Sequence, residues 1–103
     1  MKNDVLNIII AIWTISTPLV ITAGQLRASR ALLGIDQRRL AEAAGLSLPT
    51  IQRMETSEGV IRGNVDSLMK LVAALNALGV ELITDSATSQ GGGRGVRLKA
   101  PAT

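Results

Sequence analysis

Between Asp36 and Glu55 the apolar positions recur at helical spacing in two short blocks separated by a glycine. Leu40, Ala43 and Ala44 mark a helix that starts at Gln37, with Asp36 as its N-cap and Gly45 where a helix ends in a left-handed residue. Ser47 caps a second helix from Leu48, in which Ile51, Met54 and the aliphatic stem of Glu55 face inward while Thr50, Gln52 and Arg53 point elsewhere. Ala41 and Ala44 are small, so the two helices can cross closely and steeply. Upstream, Thr22 caps a helix over 23–33 with Leu26, Ala28, Ala31, Leu32 and Leu33 available for burial. Gln25, Arg27, Ser29 and Arg30 form its wet side, Gly34 ends it, and Ile35 is placed to staple against Leu40. Downstream, a polar turn over 56–59 leads through Val60, Ile61, Arg62 and Gly63 to a cap at Asn64. The helix it opens, over 65–78, carries a stripe of Val65, Leu68, Met69, Val72, Leu75 and Leu78 and closes at Gly79. The period then drops to two in 80–84 and 95–99, flanking a turn-like stretch with three consecutive glycines. This predicts a β-hairpin, which needs something to lie against: the last helix, a partner's hairpin, or the apolar run at the N-terminus.

That run, from Val5 to Ile21, is almost continuously apolar and rich in β-branched residues, with Asn7, Thr14, Ser16, Thr17 and Pro18 interrupting it. It is shorter than the ~20 residues of a spanning helix and has a proline near its end. Lys2 suits the leading region of a signal peptide, but Asp4 does not, and no small-x-small cleavage site follows. Residues 1–21 are therefore open to three readings: an ordered extension or dimer-forming strand, a misassigned start of translation near Leu19 or Val20, and a membrane anchor or signal. The chain divides into this extension, a helical domain over 22–79, and a hairpin with its tail over 80–103.

Composition narrows the chemistry. The chain has 103 residues, the size of a single domain, with no cysteine and no histidine. Disulfides, thiolate metal sites, thiol nucleophiles and histidine bases are thereby excluded. A cysteine-free chain fits the cytoplasm, which is the expected location. The formal charge is only +3. Its distribution says more, because Arg27, Arg30, Arg38, Arg39 and Arg53 stand against Asp36 and Glu42. Such a patch suits phosphate contact, and an arginine-rich solvated face reads the same way. The glycines before Arg94 lack the Lys-Ser/Thr and helix start of a phosphate cradle. No cofactor or metal is expected. No paired carboxylates or nucleophile-base set can be placed, so an enzyme is not expected either.

The run Gln37-x-x-Leu40-Ala41-x-x-Ala44-Gly45-Leu46-Ser47-x-x-Thr50-Ile51-x-x-Met54-Glu55 resembles the lambda-repressor-like, Xre-type helix-turn-helix of bacterial and phage transcriptional regulators. The resemblance spans about residues 22–79. It implies a mainly α fold, a compact bundle of four to five helices, to which this sequence adds the C-terminal β-hairpin, a departure from the family's helical continuation. It also implies double-stranded DNA as ligand and a homodimer as the binding form. Carried over by position, Gln37 matches a glutamine that holds a phosphate at the start of the second helix. Ser47, Leu48, Pro49, Thr50, Gln52 and Arg53 match the segment facing the major groove. Leu48 and Pro49 occupy positions that often carry polar base-readers, and they can touch only a thymine methyl. Arg53 is then the candidate for a bidentate contact to guanine. Thr50 and Gln52 are assigned to phosphate, with Arg38 and Arg39 at the rim and Arg62 on the backbone-following loop. The family counterpart of Glu55 is structural.

The resulting expectation is a sequence-specific regulator, a repressor binding a palindromic operator. Two alternatives stand beside it. One is an antitoxin-like interaction module with DNA autoregulation, whose N-terminal run or hairpin covers a protein partner. The other is a membrane-tethered regulator, which depends on residues 5–21.

Overall fold

The computed structural model describes residues 20–83 and 92–99. Within them the chain forms four helices followed by a two-stranded antiparallel hairpin: α1 (Ala23–Leu33), α2 (Gln37–Ala44), α3 (Leu48–Glu55), α4 (Val65–Leu78), β1 (Val80–Ile83) and β2 (Gly95–Leu98). Each helix starts where a short polar side chain can take up an unbonded N–H of the first turn. At α1 the arrangement is reciprocal, since the Gln25 N–H donates to Thr22 Oγ1 and the Thr22 N–H to Gln25 Oε1, both at 3.0 Å. Asp36 accepts the Arg39 N–H at 2.7 Å, Ser47 the Thr50 N–H at 3.2 Å and Asn64 the Ser67 N–H at 2.7 Å. Pro49 sits in the first turn of α3, where a missing N–H costs no helical bond. Gly34 and Gly45 both adopt φ 67°, ψ 32°, which lets the chain leave α1 and α2 sharply.

Ile21, Leu26, Leu40, Ile51, Met54, Leu71, Leu75 and Val80 are fully enclosed, so one core draws on every helix and on the first strand. Ala41 and Ala44 are buried on α2, and α2 packs against α3. Ile35 lies partly buried against the same core, consistent with its place as a staple. The loop after α3 is held to the start of α1: Thr22 and Val60 form an isolated bridge, the Ile61 N–H donates to the Ile21 carbonyl at 2.8 Å, and the Ala23 N–H donates to the Gly59 carbonyl at 2.9 Å.

The hairpin pairs Val80 with Leu98 and Ile83 with Gly95, and a Glu81–Arg97 salt bridge of 2.5 Å crosses it. It packs on α1 as well as on α4, and this overturns part of the expected α1 surface. Gln25 and Ser29, assigned to the wet side, are buried. The Gln25 side-chain amide donates to the carbonyls of Ile83 (3.1 Å) and Gly95 (3.0 Å), and the Ser29 hydroxyl donates to the Gln25 carbonyl at 2.7 Å. Ala31 and Leu32, counted for the core, are exposed instead, as is Ala43 of α2. Val65, placed on the apolar stripe of α4, is 62% exposed because it stands in the first turn, while Leu71 and Ala74 are buried deeper along the helix. At the hairpin's far end the Lys99 N–H donates to the Gly79 carbonyl at 2.7 Å, and its ammonium group reaches Asn76. Among the described residues no buried side-chain nitrogen or oxygen lacks a hydrogen-bond partner.

The three readings of residues 1–21 concern a stretch of which 1–19 lie outside the described residues, as do 84–91 of the hairpin loop. Among the described residues no helix is long and apolar enough to cross a membrane.

Candidate nucleic-acid interface

The helix pair α2–α3 is fixed from behind by a polar cluster centred on Glu55, the last residue of α3. The Glu55 carboxylate accepts two hydrogen bonds from one guanidinium, Arg30 Nε at 2.5 Å and Nη2 at 2.7 Å, the planar fork for which arginine is suited. Its side chain is 5% exposed and that of Arg30 22%, so the pair is largely shielded. The Glu55 carbonyl accepts a further bond from Arg27 Nη1 at 2.6 Å, and Arg30 Nη1 reaches the Ile35 carbonyl at 3.3 Å. Burial by itself pushes the Glu55 carboxyl upward. The Arg30 hydrogen bonds, helped by the Gln37 side chain and by the positive charges of Arg30 and Arg27, outweigh it and hold the group below the usual carboxylate range. The hydrogen bonds to Glu55 raise Arg30 in turn, against the opposing effect of its own burial, and Asp36 adds a smaller attraction.

This cluster revises the basic patch expected from charge alone. Arg27 and Arg30 are turned to Glu55, which leaves Arg38, Arg39 and Arg53 of that set. The signal for Arg30 was present in the spacing, because it stands one turn after the buried Leu26 and hence on the same face. Nothing in the spacing marks Arg27, whose carbonyl acceptor lies 28 residues away along the chain.

The sequence-assigned residues are spread along α2, α3 and the loop that follows. Gln52 and Arg53 are exposed on α3, Arg38 on α2 and Arg62 on the loop, and none of these four side chains has a hydrogen-bond or ion-pair partner among the described residues. Leu48 and Thr50 are half-buried and Pro49 is exposed. Ser47 and Thr50 are engaged with each other, their hydroxyls 2.7 Å apart, while Ser47 also caps α3. Gln37 is half-buried at the start of α2, near enough to Glu55 to support its charge. Arg39 spends its N–H on Asp36, and its side chain lies 4.0 Å from Glu42 on the exposed face. Among the described residues the donors without partners are thus those of Arg38, Gln52 and Arg53 on the helix pair and of Arg62 on the loop. Among the described residues no group of acidic side chains is placed to hold a metal ion.

Two short, N-capped helices packed together across a glycine turn, the second presenting polar side chains outward, are the arrangement by which helix-turn-helix proteins place a helix in the major groove of a duplex. Residues 26–83, more than half of the chain, match the sequence model of the helix-turn-helix family, and the match covers all four helices in whole or part and the first strand. A comparison with curated proteins finds no match. The chain belongs to the Xre, lambda-repressor-like helix-turn-helix family of DNA-binding regulators.

Proposed function

We propose that the protein is a sequence-specific transcriptional repressor that binds a palindromic operator as a homodimer, with α3 in the major groove of each half-site. The observation that carries this reading is the contrast between the two sides of α3. Ile51, Met54 and Glu55 are enclosed or ion-paired, while the side chains of Gln52 and Arg53 are exposed with no partner among the described residues. An arginine in that position can make a bidentate contact to guanine. Gln37, Arg38, Ser47, Thr50 and Arg62 border the same surface, where phosphate contacts fix register, and Leu48 and Pro49 supply apolar contact to a thymine methyl. A repressor that excludes polymerase by occupying DNA requires no effector domain. Two copies on a palindrome place their α3 helices about one helical turn apart, roughly 34 Å.

Titration of the purified full chain with the promoter of its own gene, at a series of salt concentrations, tests the proposal. Affinity is expected to fall steeply with ionic strength and to exceed that for random duplex by at least about a thousandfold. Footprinting is expected to protect two half-sites related by a dyad. Equal affinity for all duplexes, or a single unpaired footprint, overturns the specific dimer.

A further inference from the structure

Resting on the assignment of α3 to the groove, we infer that Arg27 is a positioning residue that sets the angle of α3 by clamping its main chain to α1, and thereby tunes discrimination between DNA sequences. The last carbonyls of any helix have no partner within it. In α3 those of Gln52, Arg53 and Met54 are taken by Thr56 and Ser57, the next two residues of the chain: the Thr56 N–H at 3.1 and 3.3 Å, the Ser57 N–H at 3.3 Å, and the Thr56 and Ser57 hydroxyls at 2.9 and 3.3 Å. Such bonds travel with the helix and do not fix its direction. The Glu55 carbonyl differs, since its donor is Arg27 Nη1 on another helix, at 2.6 Å. A guanidinium at this end also meets the negative end of the helix dipole.

Arg30 grips the same residue by its carboxylate, so Glu55 is held twice, once by side chain and once by backbone. The two holds are not equivalent. A carboxylate can swing about its side-chain torsions while the helix tilts, whereas a bond to the carbonyl follows the helix axis itself. Arg53 lies only two residues before the clamped carbonyl, and α3 is about 12 Å long, so play at this end moves the exposed arginine directly. Contacts to base edges are sensitive to such displacement, while flexible contacts to phosphate tolerate it. Arg27 itself is exposed, so its replacement leaves no cavity.

The test compares the full chain with Arg27→Ala and Arg27→Lys on two probes: a duplex selected by the wild-type protein from a random pool, and a scrambled duplex of equal composition. Arg27→Ala is expected to bind the selected duplex about tenfold more weakly and the scrambled one within about twofold of wild type, with the salt slope unchanged. Arg27→Lys, which keeps a charged donor group, is expected to recover most of the loss. Equal losses on both probes, with a salt slope shallower by about one, make Arg27 a phosphate contact and overturn the inference. Wild-type affinity on both probes in Arg27→Ala overturns it as well. Amide hydrogen exchange in the DNA-free protein reads the clamp separately. Exchange from Met54 to Ser57 is expected to quicken in Arg27→Ala and to revert in Arg27→Lys, and unchanged exchange sinks the clamp whatever the DNA result. If the wild-type chain selects no duplex, the regulator reading fails, and exchange alone then decides whether Arg27 holds α3.

Discussion

Glu55 shows how one side chain can reverse the usual ordering of costs. A buried carboxylate is expensive until a guanidinium satisfies it, and once it is satisfied the larger penalty falls on whoever removes the partner. Arg30→Ala is expected to lower unfolding free energy by about 3 kcal/mol, read from chemical denaturation at neutral pH. The pH dependence follows from the depressed carboxyl. With its folded pKa below the unfolded value of about 4.3, Glu55 contributes stability above that value and loses it as pH falls through the folded pKa. Denaturation midpoints measured from pH 7 to pH 3 are therefore expected to decline below about pH 5 in the wild type and more gently in Glu55→Gln, which starts from a lower midpoint. At the groove side, Arg53→Ala is expected to relax preference at one base pair by about 1–3 kcal/mol, whereas Gln37→Ala weakens all sequences alike. Competition binding against single-base variants of the selected duplex separates them.

At the level of the elements, caps and glycines made the helices legible. Asp36, Ser47 and Asn64 stand one residue before observed helices, and Gly34, Gly45 and Gly79 follow their ends. The strands were legible as well, to within a residue at their ends. What the local pattern could not disclose was the use of one face by a distant segment. Gln25 and Ser29 read as solvated because nothing within a few residues covers them. They are buried because the hairpin, 58 and 70 residues further on at its contacts with Gln25, folds back over α1. Arg27 and Arg30 read as part of a basic patch for a similar reason: their acceptor is supplied by another helix. The groove-facing set was named by resemblance, and the fold adds that the side chains of Gln52, Arg53, Arg38 and Arg62 have no partner among the described residues. Gln25→Ala removes the donor to both strand carbonyls and is expected to cost about 1–3 kcal/mol. Faster amide exchange across 80–83 and 95–98 than in α2 and α3 would show that the loss is local to the hairpin.

Across the whole molecule, the start of α1 is a junction where two distant segments, the loop over 59–61 and the stretch at Arg94, meet the chain. Ile21 is fully enclosed and its carbonyl takes the Ile61 N–H, the Ala23 N–H reaches Gly59, and Arg94 Nη1 donates to the Val20 carbonyl at 2.9 Å. The loop carrying Arg62 toward the proposed DNA surface is therefore laced to the chain just ahead of α1. Protein engineers inherit a practical boundary from this lacing. A shortened version beginning at Val20 keeps every one of these ties, and its thermal melting is expected to show an intact domain. One beginning at Gly24 forfeits them, along with the Thr22 cap, and is expected to melt at least several degrees lower. A purification tag therefore belongs ahead of Val20, where the Val20 and Ile21 carbonyls keep their donors.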